Sequence, residues 1–189
     1  MKIIALQTDL QLIMHIKNDD EQALKVLFDR YFNSLCQFSF QITHHQETTE
    51  EVVADIFIEL WRRRAYIQIN HQVKAFLFKM VKNASLNALR NYNMFFSFSS
   101  STDFEDIDES PEDKLISEEN VEGIMQILNI LPPAVKSVFL LQREEGFTYA
   151  EIAEILKISV KTVESHMGKA LKLMREAFQK SSYKEYYHK

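Results

Sequence analysis

Basic and hydroxyl side chains near residues 160–169 could bind nucleic acid. In a helix that begins after Ser159, five side chains would point outward from the N-terminal half: Lys161, Thr162, Ser165, His166 and Lys169. Ammonium and hydroxyl groups at such positions can reach phosphates and base edges when the helix enters a major groove. The pattern therefore predicts a DNA-contacting helix. The alternative is a plain helical hairpin with a charged surface.

The residues around this helix predict a helix-turn-helix. Thr148 and Glu151 form a Thr-x-x-Glu capping box that starts a short helix, and Ser159 is placed to cap the longer one after it. Apolar spacing predicts the inner faces, which are Ile152, Ile155 and Leu156 in the first helix and Val163, Met167, Ala170, Leu171 and Met174 in the second. Helix-turn-helix proteins often have glycine where Lys157 stands, so a left-handed conformation there would cost about 1 kcal/mol.

Charges are segregated along the chain, although its net charge is only −5. Residues 61–92 carry +7, residues 103–122 carry −9 and residues 157–175 carry +4. This order indicates two basic modules joined by a self-avoiding acidic tether, while the alternative is that each block is a solvated helix face. Because the net charge is negative and the linker can screen the basic faces, we expect weak affinity for free DNA.

Composition and periodicity predict an all-α protein. The 189 residues include only 3 Gly and 3 Pro, too few for the many turns of a β-sandwich or barrel. We expect a first module over residues 1–94, a flexible acidic linker over 95–114, a second module over 115–180 and a frayed tail over 181–189. The single cysteine, Cys36, cannot form an internal disulfide, and no signal peptide or apolar stretch of bilayer length is evident. These features indicate the cytoplasm.

Nearly the whole chain resembles a sigma-70-family factor of the extracytoplasmic-function (ECF) group. The resemblance rests on three segments in order: EEVVADIFIELWRRR (50–64), VKAFLFKMVKNASLNALR (73–90) and LPPAVKSVFLLQREEGFTYAEIAEILKISVKTVESHMGKALKLMRE (131–176). It implies that the first module is sigma region 2, which binds core RNA polymerase and the −10 element. It also implies that the second module is sigma region 4, whose last helix reads the −35 element.

The resemblance assigns roles to residues of the first module. Polymerase binding is expected at an acidic row followed by a tryptophan: Glu51, Asp55, Glu59 and Trp61. Carboxylates at i, i+4 and i+8 can pair with arginines of a partner. Recognition and melting of the −10 element are expected at Lys74, Lys79, Lys82, Asn83, Asn87 and Arg90. The basic groups would follow phosphates and the amides would bind bases of the unpaired strand.

Two further DNA sites follow from the resemblance. In region 4, −35 recognition is expected at Ser159, Lys161, Thr162, Ser165, His166 and Lys169. In region 2, the loop Ala65–Gln72, with Tyr66, Asn70 and His71, is where the family holds a flipped-out base. Residues in both places vary with the promoter, so the sequence does not specify which DNA is read.

The implied partners are core RNA polymerase, promoter DNA and a membrane-bound anti-sigma factor that restrains activity. No cofactor and no small-molecule substrate are expected, because the chain lacks a Gly-rich phosphate loop, a catalytic triad context and a Cys/His metal cluster. The rival interpretation is a helix-turn-helix regulator with an N-terminal helical sensor or dimerisation domain. A sensor domain would have no reason to follow an acidic helix with a basic helix rich in Asn and Lys.

Overall fold

The computed structural model describes residues 7–69, 72–99 and 128–187. These ranges contain seven α-helices, one 3₁₀ turn and no strand, which confirms the predicted all-α fold. The helices are α1 (Asp9–Lys17), α2 (Glu21–Thr43), α3 (Gln46–Arg62), α4 (Val73–Ser99), α5 (Pro133–Arg143), α6 (Tyr149–Leu156) and α7 (Val160–Tyr187). The 3₁₀ turn, Arg64–Tyr66, follows α3.

The first module is a helical bundle organised around α2, which packs against α1, α3 and α4. The Asp20 carboxylate starts α2 by accepting hydrogen bonds from the backbone N–H groups of Gln22 and Ala23, at 2.9 and 3.1 Å. The core side of α2 is the stripe Leu27, Tyr31, Leu35 and Phe38. Each large apolar side chain that is fully buried contributes roughly 1.5–3 kcal/mol, so this stripe holds the bundle together.

Two pairs of buried hydroxyl groups link the helices of the bundle. Ser39 Oγ on α2 lies 2.8 Å from Ser85 Oγ on α4, and Ser85 donates to a carbonyl of its own helix at 2.8 Å. Thr43 Oγ1 and Thr49 Oγ1 lie 2.6 Å apart where α2 turns into α3. These polar groups are buried, and the bonds compensate for the water they lose.

The second module contains the predicted helix-turn-helix, formed by α6 and α7. Glu151 N donates to Thr148 Oγ1 at 3.3 Å and Thr148 N donates to the Glu151 carboxylate at 2.8 Å, so the capping box is present. Ser159 caps α7, its Oγ accepting from Thr162 N at 3.0 Å. Lys157 adopts the left-handed conformation with φ 56° and ψ 47°, so this turn carries the strain of a side chain where glycine is favoured.

Most of the residues assigned to the inner faces of α6 and α7 are buried, and Leu156 and Met174 are partly buried. Ile152, Ile155, Val163, Met167 and Ala170 are buried, whereas Leu171 is 42% exposed. The assignment of Leu171 to the inner face is wrong. Its neighbour Ala170 occupies the position that faces α5, and adjacent helical residues point about 100° apart.

Two helices continue beyond the ends predicted from the sequence. Helix α4 extends through Ser99, five residues past residue 94, and α7 extends through Tyr187 into the segment expected to fray. No glycine or proline occurs in residues 91–99 or 169–187 to interrupt either helix. The rest of the predicted linker, residues 100–114, lies outside the described residues.

The two modules share one hydrophobic core. Buried residues of α1 to α4 and of α5 to α7 form a single contiguous cluster, and α4 packs against α6. At the junction the rings of Phe78 on α4 and Phe147, just before α6, meet edge to face with centroids 5.1 Å apart. Both rings are buried, so burial of aromatic surface holds the second module on α4.

Candidate nucleic-acid interface

Helix α3 presents carboxylates on the side opposite its buried face. Glu51 and Asp55 are exposed, and Glu59 is partly exposed and forms an ion pair with Arg63 one turn later. The buried apolar residues of the same stretch are Val52, Val53, Ile56, Phe57 and Leu60. The structure therefore brings the predicted acidic row (Glu51, Asp55, Glu59) onto one solvent-facing strip of an amphipathic helix.

Trp61, the fourth residue of the predicted polymerase site, lies at the end of α3. Its ring is partly buried against the core, and the Arg64 guanidinium sits over it at 4.3 Å from the ring centroid. Arg64 also donates to the Trp61 carbonyl at 2.8 Å and pairs with Asp19. The tryptophan thus anchors the turn after α3 and leaves the acidic row to face outward.

Three lysines of α4 form a row that the second module covers. The basic row is Lys74, Lys79 and Lys82, all partly buried. Lys74 Nζ lies 2.7 Å from Glu145 Oε2 and donates to the Glu145 carbonyl at 2.7 Å. Lys79 Nζ lies 2.8 Å from Glu154 Oε1. Each of these two cations is therefore paired with a carboxylate of the second module.

Lys82 completes the row with a different contact. Its ammonium donates to the Leu156 carbonyl at 3.0 Å, at the C-terminal end of α6, where the helix dipole favours a cation. Burial, and then the positive charge of Lys157, lower the pKa of Lys82. The Lys82 ammonium is therefore stabilised by the Leu156 carbonyl and repelled by the positive charge of Lys157.

An aromatic platform lies beneath Lys74. Its ammonium is 5.0 Å from the centroid of Phe147 and 5.9 Å from that of Phe78. A cation over the faces of partly desolvated rings gains electrostatic attraction in addition to its ion pair. Glu145, which pairs with it, has a side chain only 15% exposed. The Lys74–Glu145 pair is therefore more enclosed than the Lys79–Glu154 pair.

The remaining α4 residues predicted to bind DNA lie beyond the covered stretch. Asn83 is partly buried, whereas Asn87 and Arg90 are exposed. All six predicted residues lie on α4, but only those in its later turns lie outside the contact with the second module. Sequence reasoning missed Glu145 and Glu154 because nothing in their local pattern shows that they face α4.

The second predicted DNA surface is assembled on α7. Ser159, Lys161, Ser165 and Lys169 are exposed, and Thr162 and His166 are partly buried. Ser159 Oγ and Thr162 Oγ1 are 2.8 Å apart, and His166 Nδ1 is buried without a hydrogen-bond partner among the described residues. The outward face of the second helix of the helix-turn-helix is therefore polar and basic, as predicted.

The loop expected to hold a flipped-out base borders a cavity. Tyr66 is 85% exposed, while Asn70 and His71 lie outside the described residues. The cavity, about 160 Å³, lies between this loop, the start of α4 and helix α6. Its lining includes Gln68, Ile69, Gln72 and Phe76 from the first module and Glu154 and Ile155 from the second. One wall of the cavity is therefore supplied by the module that covers the basic row.

No helix in the described ranges is both long enough and apolar enough to cross a bilayer.

Two helical modules with an acidic helix and two separate basic helices are typical of a protein that binds DNA and a protein partner through its surface. Comparison with known families agrees with this class. The model of sigma-70 region 2 matches residues 27–93, and that of sigma-70 region 4 matches residues 122–174.

Relatives and solved structures extend the match over most of the chain. The ECF RNA polymerase sigma-E factor of Haemophilus influenzae is 24% identical, covering 91% of this chain and 96% of that protein. The structure of CnrH with the cytosolic domain of CnrY has a TM-score of 0.61 at 18% identity, covering 90% of this chain and 97% of the other. The sigma factor RpoE with the anti-sigma factor NepR from Bartonella quintana gives 0.61 at 19%, covering 82% and 96%. These structural likenesses show the fold.

The chain belongs to the sigma-70 family of RNA polymerase sigma factors and falls in its extracytoplasmic-function group. The helix-turn-helix regulator with a sensor domain is not favoured, because region 2 occupies the place where that domain would lie.

Proposed function

We propose that this sigma factor binds core RNA polymerase through the acidic row of α3 and reads promoter DNA with α4 and α7. The observation that carries the proposal is the exposure of Glu51 and Asp55 on a helix whose other side is buried. Neither carboxylate has an ion-pair partner among the described residues. Carboxylates held on a rigid helix are ready to pair with arginines of another protein without losing internal contacts.

Promoter recognition is divided between the two modules. The ammonium groups of α4 and Arg90 would follow the phosphates of the −10 region, and Asn83 and Asn87 would bind bases of the separated strand. The polar face of α7 would enter the major groove at the −35 element. Strand opening then needs no catalysis by this chain, because binding to the unpaired strand offsets the cost of unpairing.

We assign residues 1–94 to region 2, 95–114 to the linker, 115–180 to region 4 and 181–189 to the tail. The matched ranges 27–93 and 122–174 fall within the two assigned modules. The protein would act in the cytoplasm by binding and without a cofactor. A membrane-bound anti-sigma factor would restrain it. Both solved structures support such a partner: one pairs RpoE with the anti-sigma factor NepR, and the other pairs CnrH with the cytosolic domain of CnrY.

Binding to core RNA polymerase in competition with the housekeeping sigma factor tests the assignment of α3. The double variant Glu51→Lys/Asp55→Lys should bind at least about tenfold more weakly, since each reversed charge replaces an attraction with a repulsion. A matched control is Asp29→Lys/Glu176→Lys, which makes the same charge change at exposed residues of α2 and α7. The control should bind like the unaltered chain.

Two results would contradict this assignment. Equal weakening in both double variants would mean that net charge, rather than the acidic row, governs binding. Failure of the unaltered chain to bind core polymerase, together with tight specific binding to duplex DNA on its own, would remove the polymerase role altogether.

A further inference from the structure

We propose that region 4 acts as an internal cover on region 2: Glu145 and Glu154 occupy the basic row of α4 and withhold it from DNA until the modules separate. The proposal rests on the assignment of α4 to the −10 element. It adds a restraint that belongs to the chain itself, distinct from any anti-sigma factor.

The contacts of the second module with α4 fall on lysines that are assigned to DNA. Lys74, Lys79 and Lys82 each place their ammonium within 3.0 Å of an oxygen of the second module. Those oxygens are two carboxylates and a carbonyl at a helix C-terminus, all of which carry negative charge or partial charge. Phosphate oxygens would need the same donors, so DNA and region 4 compete for one set of cations.

Region 4 is held on α4 by packing as well as by charge. The Phe78 and Phe147 rings are buried against each other beneath Lys74, and α6 packs against α4. Separation of the modules must therefore expose aromatic surface in addition to breaking the pairs. Because packing and charge both favour the closed state, the open state is a minor fraction of the molecules. The apparent association constant for DNA is then the intrinsic constant multiplied by that fraction.

Region 4 also lines the cavity beside the flipped-base loop. Glu154 and Ile155 form part of its wall, next to Lys79 of the basic row. A base entering from the unpaired strand would bring its phosphate toward the Glu154 carboxylate, and the two negative charges would repel each other. Region 4 thus blocks both the basic row, which would bind phosphates, and the adjoining cavity, which would hold the base.

The cover also gives a specific cause for the weak binding to free DNA that the sequence leads us to expect. The sequence suggested that the acidic linker would screen the basic faces, whereas the structure places region 4 carboxylates directly on the α4 lysines. Asn87 and Arg90 lie outside the contact and remain exposed. The closed chain should therefore keep only residual affinity for single-stranded DNA through the later turns of α4 and the face of α7.

The test compares the unaltered chain with Glu145→Gln/Glu154→Gln, which removes both carboxylates while keeping side-chain size. Small-angle X-ray scattering measures the radius of gyration, and fluorescence anisotropy measures affinity for a short labelled single-stranded DNA of mixed sequence. The control, Asp29→Asn/Glu176→Gln, changes net charge equally at exposed residues of α2 and α7. Circular dichroism verifies that every variant keeps its helical content.

We expect a larger radius of gyration and about five- to tenfold tighter DNA binding in the Glu145/Glu154 variant, because two partly exposed ion pairs no longer favour closure. The control should match the unaltered chain within about twofold. Adding Lys79→Gln and Lys82→Gln to the open variant should abolish the gain, since the released affinity comes from the basic row.

Three results would overturn the proposal. They are an unchanged radius together with unchanged affinity, a larger radius without tighter binding, and a gain that survives removal of Lys79 and Lys82. Binding to core polymerase is measured separately and is assigned to α3, so failure of the unaltered chain to bind polymerase would count against the proposed function alone. A gain in DNA affinity without polymerase binding would still support the cover.

Discussion

Helices α3 and α4 belong to the same bundle and each carries a polar row, yet the two rows meet different surroundings. The acidic row of α3 faces solvent, whereas the basic row of α4 faces region 4. Both rows follow from amphipathic periodicity, and neither pattern shows which one another part of the chain will cover. The difference shows that a surface predicted to bind an external partner can be covered by another part of the same chain.

The contrast has a simple electrostatic origin. The turn before α6 and helix α6 itself supply Glu145 and Glu154 at the surface that packs on α4. Lysines suit that surface, while a carboxylate row in the same place would be repelled. The acidic row is therefore the one that stays available for an external partner when the modules are together.

The largest effect on the free energy of unfolding should come from removing the aromatic ring of Phe78, on the side of α4 that region 4 covers. Phe78 is fully buried and contacts Phe38 and Phe147. Phe78→Ala should lower the free energy of unfolding by about 3–5 kcal/mol, through lost burial and the cavity left behind. Urea denaturation followed by circular dichroism measures the change.

Tyr66→Ala is the matched control, because this aromatic side chain is 85% exposed. It should change the free energy of unfolding by less than about 0.5 kcal/mol. If Phe78→Ala were as mild as Tyr66→Ala, the shared core between the modules would not be a source of stability.

A smaller change in the free energy of unfolding, this time an increase, is expected at Lys157. This residue holds the left-handed turn between α6 and α7, and its charge opposes Lys82 on the covered side. Lys157→Gly should raise the free energy of unfolding by about 1 kcal/mol, because glycine adopts positive φ without steric cost.

Lys157→Ala separates the two contributions in the same denaturation experiment, since it removes the charge but keeps the β-carbon. It should leave stability within about 0.5 kcal/mol of the unaltered chain. Equal stabilisation by alanine and glycine would show that charge repulsion, not backbone strain, burdens this turn.

The smallest effect on stability is expected on the acidic row. Glu51→Lys/Asp55→Lys should change the free energy of unfolding by less than about 0.5 kcal/mol, because both side chains are exposed and make no ion pair within the described residues. Thermal denaturation provides the measurement. A loss of several kcal/mol would mean that these carboxylates stabilise the fold, and their effect on polymerase binding could then not be read as a contact.

Local features were predicted well because their causes are local. The Thr148–Glu151 capping box, the Ser159 cap and the strained turn at Lys157 all depend on residues within one or two turns of each other. The ends of α4 and α7 were predicted less well. Serine clusters and a polar tail suggest non-helical chain, yet neither segment contains a residue that forces a helix to stop.

By itself the sequence determined the helices, their apolar faces, the two separate basic surfaces and the acidic row, because periodicity and capping act over a few residues. The family likeness followed from the order of these segments. Only the tertiary structure decided that Glu145 and Glu154 lie on Lys74 and Lys79, across 71 and 75 residues of chain. Such pairings depend on how two modules dock through buried rings, and no local pattern records that geometry.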